Sequence, residues 1–363
     1  MKKIRVDLKE KGYDIIVGSG ILGSLGSRIK DMGRIDSVVA ITNPCIKKLW
    51  GGGLSKFLNR NGIYLKFMEI ADTEKSKSAK TALGLLNRIA VFGRSRTILI
   101  IAFGGGVVGD VAGFVASVYK RGVPYIQLPT TLLAQVDSAI GGKVALDLDA
   151  GKNLVGSFYQ PRLVFSDMDF LKSLPKKQII NGLAEVVKCA IIKDAALFQF
   201  LENNISGILK LDARVLEHIV ARTSLIKARI VEQDQFDRLG VRMVLNYGHT
   251  IGHAIETAGG YTKRYSHGEA VSIGMTAANF IAARLDRISE EMELRIGRLF
   301  KRAGLPTRAK GLNRKKIYEA HLFDKKFSGG RNLFVLPEGI GKAAFAENVS
   351  MDLVKKAIDM VCG

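Results

Sequence analysis

Cysteine, proline, tryptophan and acidic side chains are all scarce in this chain of 363 residues. Its three cysteines, Cys45, Cys189 and Cys362, lie far apart and form no C-x-x-C pair. That excludes a disulfide-stapled domain and a thiolate metal knuckle, and it points to a reducing compartment. Seven prolines and no low-complexity tract exclude a collagen-like or linker-dominated protein. The first twenty residues, MKKIRVDLKEKGYDIIVGSG, lack the apolar core of a signal peptide, so a cytoplasmic location is expected. Acidic residues number 34 against 55 Lys and Arg, a formal charge of +21. Such an excess suits nucleic acid, anionic lipid or a small anionic substrate. The basic residues are dispersed, however, aromatics make up only 7%, and there is one tryptophan and no nucleic-acid-binding motif. Neither a nucleic-acid partner nor a membrane partner is therefore expected.

Residues 97–119 contain a single charge, Asp110, which a hydropathy window would flag as a membrane span. Gly104, Gly105, Gly106 and Gly109 interrupt that run, so it reads instead as a buried strand, a glycine turn and a helix. Around it, 37–42, 97–103 and 125–128 read as fully buried strands, and 77–92 and 108–119 as helices. Continuous apolar strands alternating with helices imply a parallel sheet covered on both faces. Beyond residue 170 the pattern turns helical, over 177–194, 196–209, 212–232, 244–258, 268–285 and 289–303. The expected architecture is α/β. A Rossmann-like, parallel-sheet dinucleotide-binding domain over 1–169 is followed by a mostly α-helical domain over 170–363, the boundary falling near Asp169.

Gly104, Gly106 and Gly109 satisfy G-x-G-x-x-G after a strand and at the start of a helix. Backbone N–H groups there favour a diphosphate. The usual acidic residue about twenty positions later is missing, which departs from the ordinary fingerprint. Downstream, Thr130-Thr131, then Gly141-Gly142-Lys143 and Gly151-Lys152-Asn153, place hydroxyls and two lysines where phosphate or carboxylate could be held. Three of the five histidines, His249, His253 and His267, fall within nineteen residues. His249 and His253 are four apart in a predicted helix, a spacing that suits a metal pair or a ligand beside a general base. Glu185, Glu256 and Glu269 are the carboxylates available to complete such a site, and spacing does not rank them.

Taken together, GGGVVGDVAGF (104–114), PTTLLAQVDSAIGGK (129–143), GKNLVGSFYQP (151–161), NGLAEVVK (181–188), LNYGHTIGHAIE (245–256), HGEAVSIGM (267–275) and DKK (324–326) resemble the 3-dehydroquinate synthase family. The segments occur in family order. The resemblance implies a zinc or cobalt ion held by Glu185, His249 and His267, which releases His253 for proton transfer or for contact with a substrate phosphate. It implies NAD at Gly104, Gly105, Gly106, Val107, Val108, Gly109 and Asp110, at Thr130, Thr131, Lys143 and Lys152, and along Phe170, Leu171, Lys172 and Ser173. Asp72, Glu74 and Lys77 match the family's acidic ribose-binding stretch, and Asn43 ends a strand expected nearby. For the substrate it implies Asp137, Lys143, Asn153, Lys188, Lys227, Arg242, Asn246, His253 and one or both of Lys325 and Lys326.

The activity implied is conversion of 3-deoxy-D-arabino-heptulosonate 7-phosphate, a small anionic sugar-acid phosphate, to 3-dehydroquinate and phosphate. Oxidation at C5, phosphate elimination, re-reduction and aldol closure leave no net redox change. Lys227 and Arg242 are implied at the substrate carboxylate, and a homodimer is the family's assembly. Relatives that cyclise sedoheptulose 7-phosphate, and metal- and NAD-dependent polyol dehydrogenases, share the metal and dinucleotide motifs. Retention of Lys227, Arg242 and Asn246 favours the synthase.

Overall fold

Residues 1–93, 97–260, 264–322, 327–328 and 331–362 are described by the structure, a computed structural model. The chain divides into two units, Met1–Pro175 with Leu216–Phe236, and Lys176–Val215 with Asp237–Gly363. The first unit thus takes up a segment lying well past residue 169.

In the first unit, β1 (Lys2–Val6) and β2 (Tyr13–Gly18) form an antiparallel hairpin. Then come α1 (Leu25–Lys30), β3 (Ser37–Thr42), the single turn α2 (Pro44–Ile46), α3 (Gly52–Asn59) and β4 (Tyr64–Glu69). They are followed by α4 (Ala79–Phe92), β5 (Ile98–Gly104), α5 (Gly106–Val118) and β6 (Tyr125–Pro129). A second hairpin, β7 (Lys143–Leu148) and β8 (Gly151–Phe158), precedes β9 (Leu163–Asp167). The main sheet has the order β1-β2-β9-β6-β5-β3-β4, and every pairing after the first hairpin is parallel.

Alternation along β5 explains its uninterrupted apolar sequence. Ile98, Ile100 and Ala102 face one core with Leu85 and Ile89 of α4 and Val111 and Val115 of α5. Leu99, Ile101 and Phe103 face the opposite core with Leu25 and Ile29 of α1 and Leu54 and Leu58 of α3. Each such side chain contributes about 1.5–3 kcal/mol on burial, so the strand is held from both faces. The helix expected over 77–92 begins two residues later, because the Ser78 side chain accepts the Thr81 N–H and caps it. The GGK and GKN segments open the two strands of the β7–β8 hairpin.

The second unit is mainly helical. Its elements are α6 (Lys176–Lys193), α7 (Ala195–Leu209), α9 (His249–Ala258), α10 (His267–Arg284), α11 (Glu290–Ala303), α12 (Arg314–Leu322) and α13 (Met351–Cys362). Between α7 and α9 runs α8 (Ala213–Gln233), most of which belongs to the first unit. A small antiparallel sheet, β10 (Phe327–Ser328), β11 (Arg331–Gly339) and β12 (Lys342–Glu347), was not anticipated. The helix expected over 244–258 is broken. Val241–Asn246 form a 3₁₀ turn, and Gly248 enters the left-handed region at φ +78° before α9 starts at His249. Among the described residues no helix is long and apolar enough to cross a membrane.

Candidate active site

Sheet order locates a candidate ligand-binding edge within the first unit. From β3 the chain winds outward to β4, whereas from β5 it winds the other way to β6, so the winding reverses between β3 and β5. Ligands of open α/β sheets bind at the carboxyl ends of the strands at such a reversal. Asn43 follows β3 there, its Oδ1 accepting the Ile46 N–H at 2.8 Å. Gly104 and Gly105 follow the body of β5, and α5 opens with Gly106, Val107, Val108, Gly109 and Asp110. A Cβ on Gly105 would lie 3.2 Å from Thr131 Cγ2, and one on Gly109 would lie 3.0 Å from Gln127 Oε1. The glycines therefore let the loop nest against β6 and the segment that follows it. Thr130 donates its N–H to the Gly104 carbonyl at 3.0 Å, while its buried Oγ1 finds no hydrogen-bond partner among the described residues. A buried hydroxyl left over beside a helix N-terminus is what a phosphate-bearing cofactor would satisfy.

Next to this loop Lys77, buried at 6% exposure, forms an ion pair with Asp110 Oδ2 at 2.6 Å and hydrogen-bonds the Asn153 side chain. Asp147 Oδ1 accepts the Asn153 N–H at 2.8 Å, and Lys152 Nζ stands 3.6 Å from Glu74 Oε1. The acidic stretch, the glycine loop and the β7–β8 hairpin are thus fastened into one polar network. Burial pushes the Asp110 carboxyl up to about 6, with Lys77 opposing the shift. Between about pH 4 and 6 the folded chain then holds a proton that the unfolded chain has released, so stability falls as pH rises through that window. Asp110→Asn is expected to flatten this decline, by up to about 3 kcal/mol across the window. Urea unfolding of both proteins at stepped pH checks it, and identical slopes would refute it.

The remaining residues of the first unit divide by environment. Lys227 on α8, 7% exposed, places its ammonium 2.5 Å from Asp137 Oδ1 and donates to the Asp137 carbonyl at 2.7 Å. Lys143 is exposed at the head of β7, directly after Gly141 (φ +99°) and Gly142 (φ +68°), a turn that needs both glycines. Asp72 is exposed. Phe170 and Leu171 are 1% and 0% exposed, and Phe170 touches the rings of Phe103 and Trp50. Their side chains serve the core. Lys172 pairs with Asp169 at 2.8 Å, and Ser173 Oγ accepts the Trp50 indole N–H at 3.0 Å.

The second unit holds the histidine cluster. Glu185 on α6, 1% exposed, His249 at the start of α9 and His267 at the start of α10 each place one ligand atom within 4.8 Å of the others. His249 Nε2 lies 3.7 Å and His267 Nε2 3.4 Å from the same oxygen, Glu185 Oε1. On the far side of each ring, His249 Nδ1 meets the Tyr247 carbonyl at 3.1 Å, and His267 Nδ1 stands 3.6 Å from Glu256 Oε2. With each Nδ1 facing an oxygen on the far side, both Nε2 atoms turn toward the carboxylate, the arrangement that orients imidazoles toward a metal. The structure thereby separates the three carboxylates that spacing left unranked. Glu269 caps α10, accepting from the Ser266 N–H at 2.7 Å and its hydroxyl at 2.8 Å, and Glu256 lies behind His267. His253, the partner that helical spacing assigns to His249, is outside the cluster, although their ring centroids are 5.3 Å apart. The first turn of α10, not the second turn of α9, faces Glu185.

Electrostatics bind the cluster together. Burial alone would raise the Glu185 carboxyl, but the Lys188 ammonium and His267 outweigh it and hold it down at about 2. Burial would lower His267, and the carboxylates of Glu185 and Glu256 push it up to about 10 instead. Lys188, 2% exposed, is ion-paired with Glu185. The ammonium sits on Glu185 Oε2, and Oε1 is the oxygen that both imidazoles face. A buried carboxylate facing two oriented imidazoles is a hard and borderline donor set that fits a divalent cation with coordination positions to spare. Arg242 is buried and Asn246 half-buried in the turn before α9. Lys325 and Lys326 lie outside the described residues.

Models of two domain families match consecutive stretches of the chain, "3-dehydroquinate synthase N-terminal" over residues 67–181 and "3-dehydroquinate synthase C-terminal" over 182–327. The chain belongs to the 3-dehydroquinate synthase family. A 3-dehydroquinate synthase from Dehalococcoides mccartyi is 44% identical over 349 residues, covering 96% of both chains. Among solved structures, 2-deoxy-scyllo-inosose synthase complexed with carbaglucose-6-phosphate, NAD+ and Co2+ superposes at TM-score 0.89 with 27% identity. That match covers 99% of this chain and all of the other. The 2-epi-5-epi-valiolone synthase of Streptomyces hygroscopicus, with NAD+ and Zn2+ bound, gives 0.86 and 25% over 98% of each chain. Within this family member, sequence reasoning missed the residues that hold the histidines in place: Tyr247, Asn181 and the glycines of α9 and α10. Only the glycine spacing of GHTIG carried a visible signal for them.

Proposed function

We propose that the chain is a 3-dehydroquinate synthase, converting 3-deoxy-D-arabino-heptulosonate 7-phosphate to 3-dehydroquinate and phosphate with NAD and Zn2+ or Co2+. The observation that carries this reading is the convergence of His249 Nε2 and His267 Nε2 on one buried oxygen of Glu185, in a chain 44% identical to a synthase over nearly its full length. When bound, a divalent cation supplies a Lewis acid for substrate oxygens, and NAD supplies a reversible hydride acceptor.

The chain's own residues do the rest. Glu185, His249 and His267 hold the cation. The α5 N-terminus with Gly105 and Gly106, together with Thr130, cradles the cofactor diphosphate, and the stretch from Asp72 to Lys77 meets its ribose. Lys143, Asn153, Lys188, Lys227, Arg242 and Asn246 bind the two anionic ends of the substrate, Lys227 and Arg242 taking the carboxylate. His253 moves a proton or contacts the phosphate. Fixing one small molecule by charged groups at both ends restricts it to the reacting geometry. The family's homodimer and a cytoplasmic location belong to the same reading.

The test follows inorganic phosphate and NADH absorbance together, with substrate, NAD and Zn2+ supplied to the purified chain. Stoichiometric phosphate release without NADH accumulation, yielding a carbocycle, is expected. Steady NADH accumulation from simple polyols would mean a dehydrogenase. Phosphate release from sedoheptulose 7-phosphate alone would mean another cyclase.

A further inference from the structure

Three successive turns of one face of α6 meet the first three residues of α10 in reverse order. Lys177 Nζ stands 3.4 Å from Glu269 Oε2, Asn181 Oδ1 accepts the Gly268 N–H at 2.6 Å, and Glu185 Oε1 faces His267 Nε2 at 3.4 Å. The spacing on α6 is four residues per step, one helical turn, while on α10 it is one residue per step. The start of α10 therefore lies along α6. The middle contact is the shortest, and it is buried: Asn181 is 7% exposed. Gly268 permits it, because a Cβ there would come 2.1 Å from the Asn181 carbonyl oxygen. The Gly268 N–H belongs to the first turn of α10, where no intrahelical acceptor exists, so the Asn181 amide oxygen takes a donor that the helix cannot satisfy itself.

We propose that Asn181 is a positioning residue for the metal centre, setting the register of α10 on α6 so that His267 arrives opposite Glu185. It touches neither cation nor substrate. Its effect passes through one backbone N–H to the adjacent histidine, where an error of half an ångström or so would separate two ligands whose geometry decides affinity. The inference rests on the reading of Glu185, His249 and His267 as metal ligands.

The experiment measures Co2+ affinity by chelator competition and the visible absorption of the Co2+ form, for the parent, Asn181→Ala and Asn181→Asp. The alanine variant is expected to bind Co2+ about 10–100-fold more weakly with an altered visible spectrum. The aspartate variant keeps an acceptor oxygen at the same reach and is expected to restore the parent spectrum. Melting of the metal-free proteins accompanies the comparison, and if the alanine variant does not fold, Asn181→Ser takes its place. Unchanged affinity and spectrum on loss of the acceptor would overturn the proposal, as would equal impairment in the aspartate variant. A parent that binds no Co2+ would instead overturn the reading of the metal centre.

Discussion

Replacing His249 with alanine will leave the purified protein without its divalent cation and lower turnover by about a thousandfold or more, equivalent to roughly 4 kcal/mol of lost transition-state stabilisation. The ring Nε2 is one of only two imidazole nitrogens facing Glu185 Oε1 in the cluster, and its Nδ1 is already engaged by the Tyr247 carbonyl. His253→Ala gives the contrasting result. That ring stands one turn further along α9 and outside the ligand set, so metal content stays at the parent level while turnover falls by about 10²–10⁴ for loss of a proton-transfer group. Elemental analysis of the two variants beside steady-state rates distinguishes the roles. A His249 variant that keeps its metal while the His253 variant loses it would reverse the assignment.

Gly274→Ala is expected to be more damaging than its size suggests. Alanine is the better helix former, and on an isolated helix the change would stabilise. Here the added methyl would lie 1.9 Å from the Gly248 carbonyl oxygen and 2.7 Å from the Gly252 amide nitrogen. Neither neighbour is a flexible side chain. Backbone must move, and α9 must back away from α10, at a cost of about 3 kcal/mol or more. Since His249 follows Gly248 directly and His267 begins α10, the same displacement spreads the metal ligands. Chemical denaturation and cation affinity should therefore fall together. A variant as stable as the parent and with full metal affinity would show that the helices do not need this close approach.

These two cases also show what the sequence could and could not convey. β3, β5 and β6 were legible because each is buried along its whole length on both faces, with β5 the clearest instance, whereas β1, β2 and β4 were not read from the sequence, β4 being half-exposed. The β7–β8 hairpin was not legible, because β8 is exposed along almost its whole length and offers no hydrophobic period. Periodicity likewise ran through Gly248 and joined two elements, since a left-handed glycine leaves the apolar pattern on either side intact. At the candidate site the histidines were visible as a cluster, but their partners were not. Pairing His249 with Glu185 and His267 depends on how α6, α9 and α10 meet, and local spacing favours the neighbour one turn away. The family resemblance implied Glu185, His249 and His267 together, the three side chains that the structure groups, and it assigned no role to Asn181 or Glu256.

The strand order has a consequence for the chain as it is made. β2 pairs with β9 in register from Asp14 and Leu163 to Gly18 and Asp167, and β9 also fills the place beside β6. The N-terminal hairpin therefore emerges from the ribosome with one edge bare, and its partner follows only after roughly 150 further residues. At ordinary translation speeds that interval lasts roughly ten to thirty seconds, with β3, β4, β5 and β6 free to associate while β2 waits. The last strand threaded into the sheet joins its two halves, and during that wait the nascent chain is open to chaperones and to mispairing with neighbouring chains.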